Sequence, residues 1–161
     1  MRALSCALLL FCVSLFSAAP WAGDKAPAFV LADSDGMLIS LSDYRGSPLV
    51  LHFWATWCPY CKKLQPGLEA LQAAHADEGL VLLGISFRED RGAEPQQVLK
   101  SRGLHFKTLL EGEDVAALYG VRGTPTTFFI DRQGRVLGMS NTSDPDDPVL
   151  EDYVGMILVA E

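Results

Sequence analysis

The sequence predicts an α/β domain in which helices cover both faces of a central mixed β-sheet. Leu49–Ala55 is apolar on both faces except at His52, and Leu80–Phe87 is a second apolar run, as expected of buried strands. Pro59–Ala76 lies between them and places leucines at helical spacing with polar residues in between. A strand, a helix and a further strand in this order indicate a βαβ crossover unit. The apolar faces of such a sheet must be buried, so helices are expected on both of them.

The domain is predicted to begin with a β-hairpin and a helical turn. Asp33–Gly36 carries turn residues and separates two short apolar runs, Phe29–Leu31 and Met37–Leu41. This is the pattern of two antiparallel strands joined by a tight turn. Ser42–Gly46 follows as a helical turn that ends at its glycine.

The second half of the domain alternates between amphipathic segments and short apolar ones. Pro95 suits the start of a helix, and Gly103 and Gly120 suit helix ends. The predicted elements are, in order, a helix over Glu94–Arg102, a short strand over Phe106–Leu110, a helix over Asp114–Tyr119, strands over Thr126–Ile130 and Arg135–Met139, and a C-terminal helix over Val149–Ala160. No internal repeat or second domain is apparent.

Residues 1–22 are predicted to be a signal peptide or an N-terminal anchor, and residues 23–161 a single domain. Met1-Arg2 gives a positive start, and Ala3–Ala19 is uncharged, apolar and ends in small residues. Because this run is shorter than the roughly 20 residues of a spanning helix, cleavage is favoured over anchoring. Both interpretations place the domain outside the cytoplasm, in the periplasm or a comparable compartment, where disulfide chemistry occurs.

The chain is acidic, with 20 Asp and Glu against 13 Lys and Arg and a formal net charge of −7. Nucleic-acid binding requires a basic surface, so this composition argues against it. We expect a monomer.

Of the four cysteines, Cys6 and Cys12 lie in the leader, which leaves Cys58 and Cys61 in the domain. A single pair in C-x-x-C spacing makes a poor structural framework but a good redox centre or half of a metal site. Zinc normally takes four ligands, and the chain offers only three histidines beside the pair. A redox pair is therefore favoured over a fixed disulfide or a zinc site.

The position of Cys58 at the start of a helix suits thiol–disulfide exchange. Unpaired N–H groups and the helix dipole favour a thiolate there, which lowers the pKa of a cysteine below its free value of about 8.5. Cys58 would attack a partner disulfide, and Cys61, one turn further on, would resolve the mixed disulfide. Pro59 presets the first helical φ and removes one N–H that could have faced the sulfur.

Four segments, in this order, resemble the exported TlpA/ResA-type thiol–disulfide oxidoreductases, which have the thioredoxin-like fold. They are the N-terminal extension Ala26–Phe29 with its Asp35-Gly36 hairpin, the active-site strand and loop Phe53–Cys61, the central insertion Glu94–Leu110, and Gly120–Phe128. The resemblance covers nearly all of the mature chain. A tryptophan directly before C-x-x-C, together with a later Gly-Thr-Pro-Thr, is a specific combination.

The resemblance implies a cis-proline at Pro125 that faces the cysteine pair, with the backbone of Thr124 pairing with an extended segment of the substrate. It also implies reduction of disulfides in other proteins, as in apocytochrome c maturation, with a membrane thiol–disulfide reductase as the electron donor. No cofactor and no metal are expected.

The sequence departs from the family pattern at several positions. Leu64 stands where many members carry an acid–base glutamate, and Pro59-Tyr60 is a pair typical of glutaredoxins. His52 replaces an asparagine or aspartate. It should lie buried beneath the sulfurs, on the same face as Trp54, either as an acceptor of the Cys61 proton or as a core histidine.

Aromatic side chains near the pair are expected to pack around the site or to contact partners. Trp57 should be more exposed than Trp54 and pack around the site, and an exposed Tyr60 would tune the redox potential or the choice of partner. Asn141-Thr142-Ser143 fits a glycosylation sequon, but an isolated sequon is a weak signal and no role is assigned to it.

Three alternatives remain. A copper-handling module on the same fold usually has a wider cysteine spacing and a distal metal-binding histidine, which this chain lacks. A thiol oxidase would use the same pair in the opposite direction. Peroxidase sites place threonine three residues before the reactive cysteine, whereas Thr56 lies two before Cys58.

Overall fold

The structure is a computed structural model that describes residues 23–160, so the predicted leader lies outside the described residues. The elements are β1 (Val30–Ala32), β2 (Leu38–Ser40), β3 (Leu49–Trp54), α1 (Pro59–Ala74), β4 (Val81–Ser86), α2 (Pro95–Ser101), β5 (Lys107–Leu109), α3 (Glu113–Leu118), β6 (Thr126–Ile130), β7 (Val136–Ser140) and α4 (Pro148–Val159). Short 3₁₀ helices cover Leu41–Tyr44 and Ala76–Glu78. No helix within residues 23–160 is long and apolar enough to cross a bilayer.

Five strands form the central sheet in the order β5-β4-β3-β6-β7. β3 pairs in parallel with β4 and antiparallel with β6, so the sheet is mixed, as predicted. β3 is the middle strand and all six of its residues are buried, which explains why its sequence is apolar except at His52. β1 and β2 form the predicted antiparallel hairpin.

Helices cover both faces of the sheet, and each face has its own apolar core. One core joins alternate residues of β3, among them Val50 and Trp54, to α1, α2 and α4, and it contains both Cys58 and Cys61. The other joins Leu49, Leu51 and Phe53 to α3 and the N-terminal hairpin. The predicted fold class, an α/β thioredoxin-like fold with a covered mixed sheet, is confirmed.

Local hydrogen bonds explain the ends of the N-terminal elements. Asp33 Oδ1 accepts the backbone N–H groups of Asp35 and Met37, each at 3.0 Å, which closes the hairpin turn. Ser40 and Asp43 form a capping box at the start of the following 3₁₀ helix. α1 ends at Ala74, two residues before the predicted end.

Candidate active site

Cys58 and Cys61 are joined by a disulfide at the start of α1. Cys58 is the N-cap residue, Pro59 occupies the first turn, and Cys58 Sγ accepts the backbone N–H of Cys61 at 3.1 Å. Cys58 is 2% exposed and Cys61 is fully buried. A thiolate released at Cys58 would therefore sit against the positive end of a 16-residue helix, where it is stabilised.

The loop before β6 lies at the same end of the sheet as the disulfide. Phe53 of β3 pairs with Thr126 of β6, so the residues just after β3 and just before β6 are neighbours. The peptide bond between Thr124 and Pro125 is cis, Pro125 is buried, and Thr124 is half-buried. The structure thus places the proline loop beside the residues that lead into Cys58.

A mostly apolar cavity of about 990 Å³ adjoins this loop. Tyr60 on α1, Thr124 and Pro125 in the loop, and Tyr153 on α4 contribute to its walls. Tyr60 is 61% exposed, as expected from the sequence. The cavity therefore connects the redox helix to the proline loop.

Trp57, the residue directly before Cys58, lies against the loop after β4. It is 53% exposed, whereas Trp54 is fully buried, which agrees with the expected order. The indole N–H of Trp57 donates to the carbonyl of Arg88 at 2.8 Å, and that of Trp54 donates to Thr108 Oγ1 at 2.9 Å. The loop after β4 thus holds the side chain of the residue that precedes Cys58 in place.

Thr56, two residues before Cys58, is held on both sides by charged groups. Its N–H and hydroxyl donate to the carboxylate of Glu89, and its carbonyl accepts from Arg102 Nη2 at 3.0 Å. Arg102 also donates to Gln65 Oε1 of α1, and its guanidinium lies 5.9 Å from the centroid of the Trp54 ring. Burial raises the pKa of Glu89 above its usual range.

This arrangement around Thr56 is not predicted by the sequence. Glu89 and Arg102 lie 33 and 46 residues from Thr56 along the chain, and nothing in their local patterns indicates a role. Arg102 follows α2 in the central insertion, so this insertion contacts the active-site loop directly.

His52 is fully buried on the sheet face that carries Trp54. Nδ1 lies 3.0 Å from Thr127 Oγ1, whereas Nε2 has no hydrogen-bond partner among residues 23–160. Burial lowers the pKa of His52 to about 3, so the ring is neutral at physiological pH. In the oxidised protein it is consequently a weak base.

The remaining polar candidates lie elsewhere. Leu64 is fully buried in the core, so no carboxylate occupies the place of the family glutamate. His75 bridges Glu78 and Glu151, and His105 is exposed. Within residues 23–160, no three His, Cys, Asp or Glu side chains lie together in a way that would hold a metal ion.

A C-x-x-C disulfide at the start of a helix, a neighbouring cis-proline loop and a covered mixed sheet define the class. It is that of the thioredoxin-fold thiol–disulfide oxidoreductases. The chain belongs to the AhpC/TSA family, whose model matches residues 22–139.

Curated relatives and solved structures agree with this class. The chain is 33% identical over 140 residues to the thiol-disulfide oxidoreductase ResA of Bacillus subtilis, and the aligned region covers 86% of this chain and 77% of the relative. It is 36% identical over 115 residues to ResA of Geobacillus thermodenitrificans, and this aligned region covers 71% of this chain and 66% of the relative.

Among solved structures, a Chlorobium tepidum protein described as thiol:disulfide interchange protein DsbE is similar with a TM-score of 0.77 at 33% identity, covering 85% of this chain and 97% of that one. A secreted disulfide oxidoreductase of Mycobacterium tuberculosis is similar with a TM-score of 0.68 at 27% identity, covering 80% of this chain and 95% of that one.

Proposed function

We propose that the protein is an exported enzyme that reduces disulfides in other proteins through the Cys58–Cys61 pair. The observation that carries this proposal is the position of Cys58, whose Sγ caps α1 and accepts the N–H of Cys61. These features stabilise the thiolate that attacks, and they place the second sulfur within reach of the first.

The reaction consists of two exchanges of sulfur partners. The Cys58 thiolate attacks one sulfur of the substrate disulfide, forms a mixed disulfide and releases the other substrate sulfur as a thiolate, which takes up a proton. Cys61 then loses its proton and attacks Cys58 Sγ, which releases the second substrate thiolate. The substrate gains two electrons and two protons, and the enzyme, which began as the dithiol, is oxidised to the Cys58–Cys61 disulfide.

The substrate is proposed to dock as an extended polypeptide along the proline loop. Main-chain pairing with Thr124 would supply affinity that does not depend on sequence. The apolar cavity beside Tyr60 and Pro125 would then accept a side chain that flanks the substrate cysteine. Apocytochromes, with their paired cysteines, are one substrate class of this kind.

His52 is proposed to take up the proton of Cys61 during the second exchange. His52 shares its sheet face with Trp54, which packs in the same core cluster as Cys61. The Nε2 atom of His52 forms no hydrogen bond with any of the described residues, so it can accept a proton. A thiolate that forms nearby favours the charged imidazolium and so raises the low pKa of the ring. The rate of resolution should then depend differently on pH in His52→Asn, and an unchanged pH profile would exclude this role.

Trapping with Cys61→Ser tests the proposed function. This variant keeps the attacking sulfur but cannot resolve the mixed disulfide, so it should retain its partner through Cys58 and release it on addition of dithiothreitol. Cys58→Ser is the matched control and should retain none. Equal capture by both variants would contradict the assigned order of attack.

The direction of electron flow is tested by the reduction potential of the pair. A potential near −270 mV, that of thioredoxin, supports a reductase, whereas one near −120 mV, that of a strong oxidase, reverses the direction. A reductase outside the cytoplasm needs a source of electrons, and we propose a membrane thiol–disulfide reductase.

Export is proposed to occur through residues 1–22. The leader can be cut after Ala22, where the predicted leader ends, or after Ala19, where the apolar run ends, and the mass of the protein recovered from the periplasm distinguishes the two. Recovery of the full chain in the membrane fraction would show an anchor instead. Sedimentation equilibrium tests the proposed monomeric state.

A further inference from the structure

Asn141 directly follows β7 and binds the proline loop through its side-chain amide. Nδ2 donates to the carbonyl of Pro125 at 3.1 Å and to Thr126 Oγ1 at 2.6 Å. Thr126 Oγ1 in turn donates to the carbonyl of Gly123 at 2.8 Å. This chain of hydrogen bonds spans both sides of the Thr124–Pro125 peptide and so holds the backbone of the loop in one orientation.

The segment that carries Asn141 also contacts the redox helix. Residues 141–145 run from the end of β7 to α1, where Lys63 Nζ lies 3.4 Å from Asp144 Oδ1. Pro145 packs so closely on α1 that a Cβ added to Gly67 would lie 2.6 Å from the Pro145 Cβ. The segment 141–145 therefore connects α1, which contains Cys61, to the proline loop.

We propose that Asn141 is a positioning residue for substrate docking, an inference that rests on the proposed function. A polypeptide that pairs with Thr124 needs backbone donors and acceptors in a defined orientation. Asn141 supplies that orientation by binding the Pro125 carbonyl, and it borders the same cavity as Tyr60 and Thr124. The side chain acts through the loop and not on the reacting sulfurs.

The same geometry gives the Asn141-Thr142-Ser143 sequence a role other than glycosylation. The amide nitrogen that would carry a glycan donates both of its hydrogen bonds to the proline loop. A glycan on Nδ2 would replace one of its two hydrogens, so at least one of these contacts would be lost and the loop would be held less firmly.

Two variants, Asn141→Ala and Asn141→Asp, test the inference. The first removes the side-chain donor, and the second keeps the shape but places a carboxylate against the Pro125 carbonyl. The KM for a disulfide-bonded peptide should rise about tenfold, the effect of losing roughly one hydrogen bond, while kcat changes little. The ratio of kcat/KM for the peptide to kcat/KM for a small aromatic disulfide should fall by the same factor.

The reduction potential of the Cys58–Cys61 pair is measured alongside and should not change. Asp146→Asn is the matched control, because Asp146 is an exposed residue that follows the same segment and forms no hydrogen bond with residues 23–160. An unchanged peptide KM in both Asn141 variants would overturn the inference, as would an equal loss for the peptide and the small disulfide. If the wild-type protein reduces neither disulfide, the proposed function itself fails.

Discussion

The burial of His52 predicts an acid-dependent loss of stability that can be calculated. The folded-state pKa of about 3 lies well below the value of 6.5 expected in the unfolded chain. As the pH falls below 6.5, the unfolded chain takes up a proton that the folded protein refuses, so stability decreases down to about pH 3. From about one pH unit above 6.5 the ring is neutral in both states and contributes no pH dependence.

The expected size follows from the two pKa values. On going from pH 7.5 to pH 5.0, His52 binds a proton in the unfolded chain but not in the folded protein. Because pH 5.0 lies about 1.5 pH units below the unfolded-state pKa, and each unit is worth about 1.4 kcal/mol, the unfolding free energy falls by about 2 kcal/mol. In His52→Asn this contribution disappears, because asparagine does not titrate. An asparagine can also bond to Thr127, which bonds to His52 Nδ1 in the wild-type protein.

Urea unfolding of the oxidised protein at the two pH values measures the effect. The loss of stability on going to pH 5.0 should be smaller in His52→Asn than in the wild type by about 2 kcal/mol. If the two losses agree within about 0.5 kcal/mol, the ring is not held neutral by burial and the reasoning is wrong.

His75 provides a control of opposite sign. Hydrogen bonds to Glu78 and Glu151 raise the pKa of His75, so its stabilising contribution is present below pH 6.5 and is lost as the pH rises through the folded-state value. His75→Asn should therefore increase the loss of stability at pH 5.0. A decrease would show that these carboxylates do not bind the ring in solution.

Three further stability predictions follow from contacts near the site and in the helices. Gly155→Ala should raise the unfolding free energy by about 0.5–1 kcal/mol, because alanine favours the helix and, apart from its two chain neighbours and the nearby backbone of α4, no heavy atom of residues 23–160 lies within 4 Å of the added Cβ. Gly67→Ala should lower it despite the same gain, because its Cβ would lie 2.7 Å from the Pro145 carbonyl oxygen; a net stabilisation in urea unfolding would contradict the close approach. Arg102→Met should lower the unfolding free energy by about 1–3 kcal/mol in the same assay, because the Thr56 carbonyl loses a charged donor. Arg102→Lys should restore only part of this stability, because lysine cannot reach Thr56 and Gln65 at once as the guanidinium does. Full recovery of the stability with lysine would refute that explanation.

Much of the fold follows from local sequence patterns. The apolar run of β3, the leucine spacing of α1 and the turn residues of the hairpin each reflect the period of one element, so they could be recognised without tertiary information. Errors were confined to element ends, as at Ala74, where the helix gives way to a 3₁₀ turn. Cys58 and Cys61 were recognisable because a disulfide across one helical turn needs only their spacing.

The sequence by itself therefore determined the secondary structure, the redox pair and its place at the start of a helix. The tertiary structure decided which side chains surround the pair. Glu89 and Arg102 form hydrogen bonds with Thr56, and Asn141 donates a hydrogen bond to the carbonyl of Pro125. It also decided that His52 is neutral, because only burial on all sides lowers its pKa. The reason is that these contacts join residues brought together by the pairing of strands and by the packing of the helical insertion, and no local period encodes which distant side chains will meet.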